Sequence, residues 1–188
     1  MAITKSANLI FQLKATIRGS RPSIWRRLQV PADIRLDKLH AVLQCAFGWT
    51  NSHLHQFVLG NQYFGKLEPE IDDIEVQNEK KFRLDQLINR EKSKIVYEYD
   101  FGDNWQHELL IEKILAPEAG TRYPCCVDGK RAGPPEDCGG VGGYEELQAA
   151  IANTAHNEHD NYLEWLGGEF DPEAFDREDI NRALRRIK

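Results

Sequence analysis

The sequence predicts an α+β fold: a mainly antiparallel sheet built from hairpins, with helices packed on it and a helical C-terminal part. Three observations predict it. Strand-like alternation dominates the first two thirds, helical spacing dominates the end, and turn signals separate neighbouring strand segments. With 188 residues, 41% of them hydrophobic, the chain suits a single domain over 1–188.

"LIFQLKATI" alternates, placing Phe11, Leu13, Ala15 and Ile17 on one face of a strand. The turn cluster "GSRPS" leads into "IWRRLQV", where Ile24, Leu28 and Val30 share a side, so the two runs predict an antiparallel hairpin. Trp25 and Arg27 then share the opposite face. In "LDKLHAVLQCAFG" an apolar stripe of Leu36, Leu39, Leu43, Ala46 and Phe47 predicts a helix, and Gly48 sits where it would stop. His40 and Cys45 are expected to pack against that helix's surroundings.

"HLHQFVLGNQYFG" predicts a strand, a Gly-Asn turn and a second short strand, with His53, His55, Phe57 and Leu59 on one face. The acidic stretch 66–81 is expected to be an exposed loop, and "FRLDQLINR" a short helix. "KIVYEYD" and "WQHELLIEKI" alternate on either side of "FGDN", predicting a further hairpin. Trp105, His107, Leu109 and Ile111 share the face that parity marks as buried. "YPCCVDGKRAGPPEDCGGVGG" is dense in Gly, Pro and Cys and predicts a long ordered loop. Helices over 144–153, 157–167 and 176–187 follow, with Asp176 as the N-cap of the last.

No apolar run is long enough to span a membrane, and the N-terminus lacks a secretory pattern, so a cytoplasmic location is expected. The four cysteines, Cys45, Cys125, Cys126 and Cys138, are then expected to be reduced. Cys125 and Cys126 are adjacent, which suits a shared zinc ion poorly. Residues 1–66 carry nine Lys or Arg against two acids, a balance of +7, whereas 67–188 carry −13. Such asymmetry points to a phosphate-bearing partner or to attraction between the two parts of the chain. Overall acidity argues against non-specific binding to duplex nucleic acid.

The densest chemistry lies in "YDFGDNWQH". Asp100, Asp103 and His107 crowd the end of one hairpin, where carboxylates and an imidazole can bind a divalent metal or exchange protons. The plainer alternative makes Asp103 a turn residue and His107 a hydrogen-bonded histidine of the sheet. "DFG" does not indicate a kinase, because the glycine-rich loop, lysine strand and H-R-D loop are missing. His53 and His55, two residues apart on a strand face, can offer two ligands to one ion. There is no G-x-S-x-G elbow and no Walker A sequence.

Taken in order, "PSIWRRLQVP", "LDKLHAVLQCAFGWTNSHLHQF", "YEYDFGDNWQHELLIEK", "YPCCVDGKRAGPPEDCGG" and "GGYEELQ" resemble the Ri-plasmid open-reading-frame-three-like family, also labelled insertion-element passenger or TnpR-like. The resemblance covers nearly the whole chain. It implies an association with mobile genetic elements, without a demonstrated activity. Nothing here is similar to the catalytic serine region of a resolvase. Many members carry a cysteine directly before "PPEDCGG", where this chain has Gly133. The resemblance also implies that "PPEDCGG" meets the Asp100–His107 stretch in space.

Two functional expectations follow. One is an accessory nucleic-acid-binding or interaction protein, meeting single-stranded nucleic acid or a protein partner. Arg18, Arg21, Trp25 and Arg27 would form its contact face. The alternative is a metal-dependent hydrolase of phosphodiester type. Its candidates are Asp100, Asp103, His107, Glu136 and Asp137, with His53, His55, Asp103 and His107 as ligands of a divalent metal.

Overall fold

The computed structural model describes residues 9–66 and 75–187. In chain order the elements are β1 (Ile10–Ile17), β2 (Trp25–Pro31), α1 (Leu36–Phe47), β3 (His55–Leu59), β4 (Gln62–Gly65) and β5 (Val76–Asn78). A 3-10 turn at Glu79–Lys81 and α2 (Leu84–Leu87) follow, then β6 (Lys94–Tyr99), β7 (Trp105–Leu115), β8 (Cys125–Lys130), α3 (Gly140–Ile151), α4 (His159–Leu166) and α5 (Arg177–Leu184). The eight strands form one sheet in the order β5-β4-β3-β6-β7-β1-β2-β8. Every pairing is antiparallel except β4 with β5. Strands and helices are thus segregated as in an α+β fold.

Alternation fixes which way each strand faces. Phe11, Leu13, Ala15 and Ile17 of β1, Leu28 and Val30 of β2, and Trp105, His107, Leu109 and Ile111 of β7 are all buried. They join Leu39 and Leu43 of α1, Leu147 of α3 and Leu184 of α5 in a continuous core. The opposite face is a polar lattice. Gln12 and Arg27 both bond Glu112, Arg27 also bonds Asp128, and Gln56 and Gln106 bond Glu98.

The predicted helix over 36–47 stops where expected, with Gly48 at φ 80° and Trp49 N–H returning to the Gln44 carbonyl. Asp176 caps α5 by accepting from the Glu178 and Asp179 backbone N–H groups.

Three expectations need correction. Residues 125–130 are not loop but strand β8, paired along β2 with a register shift between Arg27 and Leu28. Within 66–81, the exposed loop gives way to β5 and the 3-10 turn; 67–74 lie outside the described residues. Helix α3 begins at Gly140, before the apolar spacing does, because Gly140 and Gly143 pack where a Cβ would strike the Asp103 and Cys138 carbonyls. No helix among the described residues is long and apolar enough to cross a membrane.

Candidate functional site

The turn between β6 and β7 is built on Asp100. Asp100 and Asn104 adopt left-handed backbone conformations, φ 56° and 54°, which short Asx side chains tolerate best after glycine. Asp100 Oδ1 accepts from the Gly102 N–H at 3.0 Å and the Asp103 N–H at 3.3 Å, closing the turn. Its other oxygen, Oδ2, lies 3.7 Å from His53 Nε2. One carboxylate therefore both shapes the turn and faces an imidazole.

His53 sits in the bend before β3. Its Nε2 lies 3.1 Å from Asp137 Oδ1, yet it is shielded from solvent and makes no aligned hydrogen bond among the described residues. His53, Asp100 and Asp137 each bring a ligand atom within 4.8 Å of the others. The Asp100 side chain is 10% exposed and that of Asp137 is 68% exposed, so the cluster opens to solvent through Asp137.

The loop carrying Asp137 is latched over the hairpin end. Trp49 Nε1–H donates to the Pro134 carbonyl at 2.8 Å, and the Gly139 N–H donates to Asp103 Oδ2 at 3.1 Å. Gly133 lies so close to the Phe47 carbonyl that any Cβ would collide with it. The position where many family members place a cysteine thus has no room here without backbone movement. Between the latches, Glu136 accepts from the Tyr99 and Thr50 hydroxyls, and the Tyr99 oxygen accepts from the Ser52 N–H at 3.0 Å. Burial opposes ionisation of Glu136, but the Thr50 and Tyr99 hydrogen bonds hold it below the usual carboxylate range. Burial and then the Glu136 carboxylate push the Tyr99 hydroxyl up, so it stays a donor. Burial, and next Asp103, push the Cys138 thiol up to about 12, which leaves it protonated.

The remaining candidates lie elsewhere. His55 and His53 turn to different partners. Strand β3 begins only at His55, so strand parity does not reach His53. His55 Nε2 instead meets Glu79 at 2.8 Å, and its ring stacks on His40 at 3.5 Å. His40 also meets the Tyr97 hydroxyl and Asn51, and burial lowers it to about 4. Asp103 is occupied with Gly139. His107 is fully buried against Phe47 and Trp49, and neither ring nitrogen makes an aligned hydrogen bond among the described residues. Burial lowers it to about 3, outweighing the backbone of Tyr97 and of Trp105, which still lies close enough to favour the charged ring, as a histidine of the sheet would have it. Cys126 is buried and its neighbour Cys125 is half-buried, as alternate positions of β8. The pair therefore cannot close on one ion.

Of the basic candidates, Arg27 is held by Glu112 at 2.6 Å and Asp128 at 2.8 Å, and Arg18 lies 3.9 Å from Glu108. Trp25 is flanked by Lys14 and Arg27, 4.9 and 5.0 Å from its ring. Arg21 has no ion pair among the described residues. Two basic residues of the early segment, Arg18 and Arg27, thus meet acids of the later one. Sequence reading overlooked Arg26, which is 3% exposed and has no carboxylate partner among the described residues. It bonds the Ala46, Trp25 and Lys130 carbonyls and lies between the Phe47 and Phe175 rings, and burial lowers it to about 10. Its parity with Leu28 was the one available signal.

Residues 9–179 match the family model described as plasmid pRiA4b ORF-3-like protein. The chain belongs to that family. The chain is also similar to the Sinorhizobium fredii (strain NBRC 101917 / NGR234) protein named "Uncharacterized protein y4hQ". It is 38% identical over 176 residues, which cover 93% of this chain and 90% of that one. The crystal structure of MM3350 from Methanosarcina mazei Go1, a protein of unknown function, superposes with a TM-score of 0.84. It is 39% identical and covers 92% of this chain and 97% of its own, so the two share the fold.

Proposed function

We propose that the chain is a divalent-metal-dependent hydrolase in which His53, Asp100 and Asp137 hold the ion and Glu136 takes the proton of the attacking water. The convergence of one imidazole nitrogen and two carboxylate oxygens within 4.8 Å carries this reading. Three protein ligands leave a coordination position open, as catalytic sites do and structural ones do not. A mixed nitrogen and oxygen donor set suits zinc or manganese. His53 Nε2 is close to both carboxylates without an aligned hydrogen bond, which fits an ion between them better than direct contact. Glu136 stays ionised, as a proton acceptor must be, and Tyr99 stays a neutral hydrogen-bond donor to it.

The nucleic-acid reading has less support, because Arg27 and Arg18 already meet carboxylates. Elemental analysis of protein purified without chelator tests the metal reading, followed by titration with Zn²⁺ and Mn²⁺. Ester, amide and phosphodiester substrates are then assayed with and without the ion. One bound ion per chain and chelator-sensitive hydrolysis are expected. Absence of binding by either ion would overturn the proposal.

A further inference from the structure

We infer that the depression beside the His53 cluster is a subsite for a positively charged amine group of the substrate. It has a volume of about 420 Å³ and includes Asp137, Glu158, Asn161, Tyr162 and Trp165 in its wall. Asp137 is common to the depression and the cluster, so a group seated there lies within a few bonds of the reacting centre. Cys138 and Gly139 continue the wall from the loop, and the remainder comes from α4 and the residue before it. No residue of α4 is fully buried; Tyr162 packs partly against the core, and Trp165 stays open to solvent.

Two features of the wall select the ligand. Trp165 is 49% exposed, and Tyr162 stands three positions before it on the same helix face. Such aromatic faces attract ammonium and guanidinium groups through the ring quadrupole. The second feature is charge. Asp137 and Glu158 contribute carboxylates, Asn161 Nδ2–H steadies Glu158 Oε2 at 3.0 Å, and no lysine or arginine lines the wall among the described residues. A phosphate would meet two like charges here, and a neutral apolar group would strip water from both carboxylates without replacing it. A cationic amine satisfies both.

As a cation site this subsite stands alone; as a substrate-binding element it rests on the hydrolase reading. Joined to that reading, it points to an ester or amide that carries an amine, rather than to a phosphodiester.

The experiment titrates the full chain with n-butylammonium chloride, n-butanol and sodium butyrate. It follows the Trp165 indole N–H resonance, assigned through Trp165→Phe, once with chelator and once with Zn²⁺. n-Butylammonium is expected to move that resonance in both conditions, with n-butanol and butyrate leaving it in place. Glu158→Gln is expected to weaken the ammonium response about fivefold, the upper scale of losing one exposed ion pair. An equal response to n-butanol would overturn the proposal, as would no response to n-butylammonium at any concentration that keeps the chain folded. An ammonium response in a chain that binds no metal would sink the hydrolase reading and leave the subsite standing.

Discussion

His107→Leu should stabilise the protein, although it alters a residue of the most distinctive sequence motif. His107 is fully buried, and its ring nitrogens have no aligned hydrogen bond among the described residues, only the nearby Tyr97 and Trp105 backbone. A buried polar group left unsatisfied costs about 1–3 kcal/mol, and replacing a core side chain by an aliphatic one of similar volume costs up to about 1.5 kcal/mol. The balance is a gain of about 1 kcal/mol at neutral pH, or ~2–4 °C in Tm for a chain of this size. The pH dependence sharpens the test. Burial lowers His107 from 6.5 to about 3, so below 6.5 the unfolded chain binds a proton that the folded chain refuses. Wild-type stability therefore falls as pH drops through this window, by about 1.4 kcal/mol per pH unit from this residue alone. The variant escapes that loss, and its advantage should widen by about 2 kcal/mol near pH 5. Urea denaturation of both proteins at neutral and mildly acidic pH measures the difference. A variant less stable than wild type by more than about 1 kcal/mol, or a gap that does not widen with acid, would show that the ring nitrogens are satisfied in solution.

Asp100→Asn keeps an acceptor for the turn N–H groups but removes the charge facing His53. Its thermal midpoint should stay close to wild type, while calorimetric Zn²⁺ affinity falls by more than the roughly 10–100-fold typical of losing a supporting residue. Gly133→Ala places a methyl group on the Phe47 carbonyl and should cost about 1–3 kcal/mol in denaturant unfolding. Asp176→Ala removes the acceptor for two backbone N–H groups of α5 and should cost about 1 kcal/mol, read as a lowered Tm.

Much of the fold was legible because one-sided burial writes its period into the chain. β1, β2, β6, β7 and α1 all bury the residues their spacing marks. Strand β8 escaped because its apolar content is confined to Cys125, Cys126 and Val127 between Pro124 and Gly129, so turn chemistry masked an edge strand held by backbone pairing. β5 escaped because three residues carry too little period, and its partner β4 is parallel rather than hairpin-linked. The approach of Glu136 and Asp137 to Asp100 followed from the resemblance, not from periodicity. The different partners of His53 and His55 were invisible because a bend ends strand parity at the point where the two histidines part.

The two latches of the Pro134–Gly139 loop also set an order of assembly. Trp49 reaches Pro134 across 85 positions, and Gly139 reaches back to Asp103 across 36. During synthesis the β1–β2 hairpin and α1 can gather as soon as they emerge, since their contacts are local. His53 and Asp100 must then wait, as an unfinished pair, until Asp137 has left the ribosome. Closing so long a loop carries an entropic cost that only the nearly complete core can offset. A nascent chain truncated before Asp137 would lack the third member of the His53–Asp100–Asp137 cluster, so under the proposed function ion capture is timed to the end of folding.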